Sequence, residues 1–193
     1  MTTRSGTGLF VVDNSISGWS GIRYLREWTE VARSMDIATG YFEIGALLEL
    51  DGHWQKLEKI RILMGSEMTH RTRRVLVDSL NTFVKEKLDG SIEGDKDKNP
   101  FLEGVPAIVE ALKSGQIECR AYTKGKFHAK AYITHAKVEV IGAQALVGSS
   151  NFTRPGLVDN VELNIQIQSG NEVAELQEMQ VPVSPVANLA AAS

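Results

Sequence analysis

Two stretches with a period of two restrict this chain more than any other part of it. In Phe127–Ile133, the residues Phe127, Ala129, Ala131 and Ile133 alternate with His128, Lys130 and Tyr132. In Val161–Gln168, the residues Val161, Leu163, Ile165 and Ile167 alternate with Glu162, Asn164, Gln166 and Gln168. A period of two is the spacing of a β-strand, whose side chains leave by opposite faces in turn. Each stretch is therefore expected to bury its aliphatic side and present its polar side. His128 and Lys130 then share a face about 7 Å apart, the rise of two strand residues. Between the two strands lies Gly148-Ser149-Ser150-Asn151-Phe152, whose residues suit a turn. The pattern directs an imidazole, an ammonium, a carboxamide and a carboxylate to one pocket.

That set has a chemical logic. A neutral imidazole attacks phosphorus and carries the phosphoryl group as a covalent intermediate. A lysine and an asparagine neutralise or hydrogen-bond the non-bridging oxygens. A glutamate fixes the imidazole tautomer through its other ring nitrogen. Such a site needs no metal ion. The single cysteine, Cys119, and four scattered histidines, His53, His70, His128 and His135, offer no zinc-ligand spacing.

H-x-K in a strand, then G-S-x-N-F, then a glutamate in the next strand, resembles the phospholipase D superfamily over Lys126 to Gln168. Within it the resemblance is to the nuclease branch, which includes domains fused to helicases and restriction-type enzymes. Upstream, "IATGYFEIGALLEL" and "KLEKIRILMGSEM" are similar to the leading strand–helix–strand of such domains. The resemblance implies an α/β fold in a single domain, a phospholipase D-like mixed β-sheet flanked by helices. It implies a metal-independent phosphodiesterase without a cofactor, acting on nucleic acid, DNA before RNA. His128 is the implied nucleophile, or the general acid when its partner attacks. Lys130 and Asn151 are implied to bind the scissile phosphate, Glu162 to orient His128, and Ser149 to support the phosphate site. Ser150 reads as a turn residue. Single-motif members of the family pair to complete a site. This chain has one H-x-K and no internal repeat, so a homodimer with its site at the two-fold axis is expected. Where the family often carries an aspartate, five residues after the lysine, His135 stands; it should lie at the strand's end beside Ala136-Lys137 and take no part in the reaction.

Composition sets the outer limits. With 193 residues there is room for one domain, expected over 1–178, and "MQVPVSPVANLAAAS" has no charged residue, so 179–193 reads as a linker or tail. No run approaches the ~18 apolar residues of a membrane span. The first residues lack a hydrophobic segment behind a basic one, so no signal peptide is expected. A lone cysteine, which cannot form an internal disulfide, suits a reducing cytoplasm. A net charge of −3 means that any contact with a phosphate backbone must come from a local basic cluster. Lys124 and Lys126 before His128, with Arg154 after Asn151, are read as that rim, although the lysines could equally keep a hairpin soluble.

Read in order, Leu9–Val12 is an expected edge strand, followed by a helix capped by Ser17 or Ser20 that runs to about Ser34 on a stripe of Ile22, Leu25, Trp28, Val31 and Ala32. Asp36–Phe42 reads as a buried strand, Glu43–Lys56 as a helix weakened by Gly45 and Gly52, and Lys59–Met64 as a strand. A helix is expected over Thr69–Leu88. Arg71, Arg73 and Arg74 crowd its first turn, where positive charge opposes the helix dipole; a bound anion or a plain solvated surface would each account for them. After the polar loop "DGSIEGDKDKNP" come a short helix bounded by Pro106 and Gly115, strands at Ile117–Tyr122 and Val138–Val147 around the H-x-K strand, and a closing helix over Asn171–Met179. Early alternation of strands and helices, then consecutive strands, predicts a mixed sheet with helices packed on it.

Two other functions compete. One is a catalytically weak nucleic-acid-binding or dimerisation module of a larger helicase or restriction machine, favoured by the loss of the aspartate at His135. The other is a phospholipid phosphodiesterase, which calls for a membrane-facing apolar surface; no basic amphipathic helix with exposed aromatics supplies one.

Overall fold

In the computed structural model the chain is described over residues 10–15, 20–80, 104–138, 141–168 and 184–185. Among these residues one mixed sheet runs in the order β1-β7-β6-β5-β2-β3-β4-β8. Its strands are β1 (Phe10–Val12), β2 (Ala32–Thr39), β3 (Lys59–Met64), β4 (Ile117–Ala121), β5 (Lys130–Ala136), β6 (Ala143–Gly148), β7 (Asn164–Gln168) and β8 (Ser184–Pro185). The helices are α1 (Gly21–Val31), α2 (Ile44–Glu49), α3 (His70–Leu80) and α4 (Val105–Lys113). β2, β3 and β4 are parallel, and β5, β6, β7 and β1 are antiparallel in turn. This is the α/β single-domain arrangement that the sequence implies.

The parallel strands exist because helices cross between them, α2 between β2 and β3, α3 and α4 between β3 and β4. Their buried residues meet Met35, Ile37, Ile60, Ile62, Met64, Tyr132 and Leu146 of the sheet in one continuous core. A smaller cluster of Ile133 and Ala145, with Val147 and Ile167 against it, lies on the other face.

Several expected boundaries move. α1 stops at Val31, which is 44% exposed, and the chain enters β2 at Ala32 with extended backbone and no loop between. The buried strand is therefore Ala32–Thr39 rather than Asp36–Phe42; in the polar-looking "ARSMD" both Ala32 and Met35 are buried, three residues apart because the register shifts between Ala32 and Ser34. The helix expected over Glu43–Lys56 breaks after Glu49, because Gly52 takes a φ of +76° and a 3₁₀ turn follows at Trp54–Lys56. Ser20 makes no side-chain cap; the Gly21 N–H is instead taken by the Asn14 side chain at 2.8 Å. Ser17, the end of the helix expected to reach Leu88, the polar loop at 89–100 and the closing helix at 171–179 lie outside the described residues. Of the expected tail, Ser184–Pro185 pairs with β4, and the rest also lies outside them.

The larger corrections concern the two alternating stretches. β5 begins only at Lys130, so Phe127, His128 and Ala129 lie in the segment that leads into it. The side of β5 that carries Lys130, Tyr132 and Thr134 is the one turned to the main core; Tyr132 is fully buried. β7 likewise begins at Asn164, which leaves Glu162 before the strand. Its buried residue is Asn164, while Val161, Leu163 and Ile165 are 78%, 62% and 37% exposed. The alternation was real and its polarity reversed. β7 sits next to the sheet edge, where the odd residues face away from the helices and the core side is filled by an asparagine that bonds to its neighbours.

Candidate active site

β2 is the point where the sheet changes sense, with parallel β3 on one side and antiparallel β5 on the other. A crevice opens outside the carboxyl ends of strands at such a switch point. Here the ends of β2 and β3 are Thr39-Gly40 and Met64-Gly65. A Cβ on Gly40 would lie 3.0 Å from the Phe127 carbonyl and 3.1 Å from His128 Cα, and one on Gly65 would collide with the Gly40 carbonyl. Two glycines thus let the segment carrying His128 lie directly across the strand ends.

His128 is exposed there. The Lys130 ammonium stands 3.0 Å from its Nδ1 and 3.3 Å from its Nε2, and donates to its carbonyl at 3.2 Å. Lys130 is 8% exposed. Burial holds its pKa below the usual lysine range, and the Glu162 carboxylate opposes that loss of charge.

The turn after β6 is built as tightly. Gly148 is required because a Cβ would run into the Leu163 carbonyl and Asn164. Asn164 accepts from the Ser150 N–H at 3.3 Å and donates to Ser150 Oγ at 2.8 Å and to the Val12 carbonyl at 3.2 Å. The Tyr132 hydroxyl donates to the Ser150 carbonyl at 2.6 Å. Thr39 Oγ1 accepts from the Phe152 N–H at 2.9 Å and donates to the Tyr41 carbonyl at 2.7 Å. Phe42 and Phe152 stack with their centroids 5.8 Å apart. Asn151 is the outcome of this frame. Its Oδ1 accepts from the Tyr41 N–H at 3.1 Å, which leaves the two amide hydrogens of its side chain to donate to a ligand.

Glu162 completes the mouth differently from expectation. Its carboxylate accepts from the Ser149 hydroxyl and, at 3.4 Å, from the Asn160 amide, while the ring nitrogens of His128 face Lys130. Ser149 is tied to Leu163 in both directions, its N–H to the Leu163 carbonyl at 3.0 Å and its Oγ accepting from the Leu163 N–H at 2.9 Å. Among the described residues, no three His, Cys, Asp or Glu side chains converge where a metal ion could sit, and no helix is long and apolar enough to cross a membrane.

The sequence profile of the family described as cardiolipin synthase, PLD-like domain, matches residues 27–180. The chain belongs to the phospholipase D-like family. No curated protein matches it. Among solved structures, phosphatidylserine synthase of Haemophilus influenzae Rd KW20 superposes with a TM-score of 0.52 at 15% identity, over 97% of this chain and 42% of that one. NucT from Helicobacter pylori is similar at 0.48 and 14% identity, over 88% of this chain and 89% of that one. The phospholipase D family member Nuc from Salmonella typhimurium is similar at 0.49 and 16% identity, over 92% and 98%.

In this phospholipase D-like domain the sequence-predicted residues divide. His128, Lys130 and Asn151 converge on the turn at Gly40-Tyr41, and Ser149 and Glu162 form a bonded pair beside them. Lys124 and Lys126 are exposed in the turn leading to His128. Arg154 is engaged, bonded to Glu49 at 2.8 Å and to Asp159 at 2.7 Å, and so braces the turn after Asn151. Sequence reasoning missed the supporting residues Thr39, Tyr41 and Asn164; Ser150 lies in the turn after β6 as expected, but is fully buried there. A threonine at the end of an apolar strand and an asparagine flanked by Leu163 and Ile165 were the signals: a polar group in an apolar run needs a partner.

Proposed function

We propose that the domain is a metal-independent phosphodiesterase that cleaves nucleic acid, DNA before RNA, through a phosphohistidine at His128, in a site shared by two copies of the chain. The observation that carries this reading is the convergence of an exposed imidazole, a nearly buried ammonium and an amide whose donors are uncommitted. His128 attacks phosphorus; a P–N bond forms as the P–O bond to the leaving sugar oxygen breaks. That oxygen takes its proton from the imidazolium of His128 in the second copy. Water then attacks phosphorus, gives its proton to that imidazole, and the P–N bond breaks. Lys130 and the Asn151 amide bind the non-bridging oxygens. The Glu162 carboxylate favours the charged form of Lys130 and holds Ser149, whose hydrogen bonds to Glu162 and Leu163 brace the turn that presents Asn151 to the phosphate. Lys124 and Lys126 meet the flanking backbone.

Plasmid, single-stranded DNA, RNA and phospholipid, each incubated with the protein in excess EDTA, test the reading. Cleavage of DNA that persists in chelator is expected. Activity that vanishes with EDTA and returns with magnesium or zinc contradicts the mechanism, and turnover of phospholipid alone contradicts the substrate.

A further inference from the structure

Among the described residues, Asn14 alone outside glycine has a positive φ, at +60°. Few side chains enter that left-handed region at low cost, and asparagine is one of them. An Asx turn holds the backbone there, with Asp13 Oδ1 accepting from the Ser15 N–H at 2.9 Å. The Asn14 side chain is committed at both of its ends. Its Nδ2 donates to the Gly156 carbonyl at 3.1 Å and to the Asn160 carbonyl at 2.9 Å, and its Oδ1 accepts from the Gly21 N–H at 2.8 Å.

Gly156 lies within, and Asn160 just after, a single π-helical turn at Pro155–Asp159, a rare geometry that occurs mostly at functional sites. Gly156 bears on Asn151. Its N–H donates to Thr153 Oγ1 at 3.1 Å, and the Thr153 N–H donates to the Asn151 carbonyl at 2.8 Å. A Cβ on Gly156 would lie 2.6 Å from that carbonyl and 3.1 Å from the Asn151 nitrogen, so the two backbones touch and a shift of one displaces the other. Asn160 bears on Glu162, whose carboxylate accepts from Asn160 Nδ2 at 3.4 Å. The Glu162 N–H in turn donates to the carbonyl of Asp13, next to Asn14, at 3.0 Å.

Arg154 grips the same turn through Glu49 and Asp159, but its side chain is 48% exposed, and solvent leaves such surface ion pairs with little net strength. The Asn14 bonds to Gly156 and Gly21 are part-buried, where a hydrogen bond is stronger and its loss leaves a carbonyl or an N–H without its partner.

We propose that Asn14 is a positioning residue for the active site: one side-chain amide, carried at the end of edge strand β1, sets the Asn151 amide and the Glu162 carboxylate in place at the mouth. The proposal rests on the phosphodiesterase reading for the roles of Asn151 and Glu162, and adds the residue that holds the two together. A residue that only stabilised the fold would lower the melting temperature without acting through Asn151.

Two variants test it. Asn14→Gly adopts the positive φ freely and removes all three side-chain bonds; Asn14→Asp keeps the acceptor for Gly21 and removes both donors. Each is expected to lower kcat on a DNA oligonucleotide in EDTA by about 10–100-fold, with KM changed by less than about three-fold. The alkaline limb of the pH–rate profile is expected to move to lower pH, because a displaced Glu162 no longer supports the Lys130 charge. In an Asn151→Ala background, Asn14→Gly is expected to cost less than about three-fold more, since both act on the same group. Leu25→Ala, a fully buried position in α1, is expected to lower Tm at least as much and to keep kcat within about two-fold below the melting range. Inorganic phosphate, titrated by calorimetry, reads the site apart from turnover, and Asn14→Gly is expected to bind it about ten-fold more weakly than wild type. Wild-type kcat and phosphate affinity in both Asn14 variants, or full additivity with Asn151→Ala, overturns the positioning role and leaves the phosphodiesterase reading standing. A wild-type protein that cleaves no phosphodiester in EDTA, yet binds phosphate more tightly than Asn14→Gly, overturns that reading and leaves Asn14 as the residue that orders a phosphate site. A wild-type protein that neither cleaves nor binds phosphate overturns both.

Discussion

At the mouth end of β5, Lys130 points to the core side and reaches up to an exposed His128; at the far end, His135 points to the other face and reaches Asp36. The two histidines belong to one strand and its lead-in, yet their surroundings are opposite in kind. Asp36 accepts from His135 Nε2 at 2.9 Å and from Arg61 at 2.6 and 2.5 Å. Burial alone would raise the Asp36 carboxyl, but these hydrogen bonds outweigh it and hold the group below the usual carboxylate range. His135 and Arg61 both donate to the Asp36 carboxylate, so the cluster spends these hydrogen bonds on the fold. At the mouth, the Tyr41 N–H fixes Asn151 through its Oδ1 and leaves its amide donors uncommitted, while the Lys130 ammonium is held against His128. A site differs from a structural ion pair in what remains uncommitted, more than in which residues are present.

Breaking the mouth should produce the largest effects. His128→Ala is expected to lower turnover by about 10⁴-fold or more while DNA binding, followed by anisotropy, changes little. Asn151→Asp keeps the acceptor that Tyr41 needs but sets a negative oxygen against the phosphate; a loss of about 10²–10³ in kcat with an unchanged melting temperature is expected. Glu162→Gln retains a hydrogen-bonding partner for Ser149 and removes only the charge that favours the Lys130 ammonium. Its loss should be smaller, about ten-fold, and the alkaline limb of the pH–rate profile should move to lower pH as Lys130 deprotonates earlier.

The far end should answer in stability instead. Asp36→Asn is expected to cost about 1–3 kcal/mol in urea melts at neutral pH. Because the folded-state pKa of Asp36 is depressed, its contribution is present above the ordinary carboxylate pKa of about 3.9 and is lost as pH falls through the lower folded value. The wild-type and variant curves should therefore converge in acid. His135→Ala should stay within a few-fold of wild-type activity, read as initial rates, since His135 faces away from Lys130. A loss at His135→Ala that matches His128→Ala would erase the distinction between the two ends.

How much of this was legible follows from what each residue depends on. The mixed sheet and the residues at its mouth could be read because H-x-K, G-S-x-N-F and the later glutamate mark them in order. The polarity of the strands could not. Alternation reports that two faces differ, and which one meets the helices is decided by neighbours distant in sequence, as when Asn164 buries its amide against Val12 and Ser150. The role of Glu162 was misplaced for a related reason. As a residue of the expected strand it would have faced His128, whereas two residues before β7 it meets Ser149. Thr39 and Tyr41 lie about 110 residues from the turn they hold, |i−j| being 113 for Thr39 with Phe152 and 110 for Tyr41 with Asn151, a distance no local pattern spans.

The central claim is that His128 carries the phosphoryl group. An oligonucleotide labelled at phosphorus, mixed with enzyme in EDTA and quenched within the first turnover, tests it most directly. Label on the peptide containing His128, stable in alkali and released by acid as a P–N bond requires, and missing from His128→Ala, is the predicted result. Rapid cleavage by wild-type enzyme with no labelled protein at any quench time would contradict it.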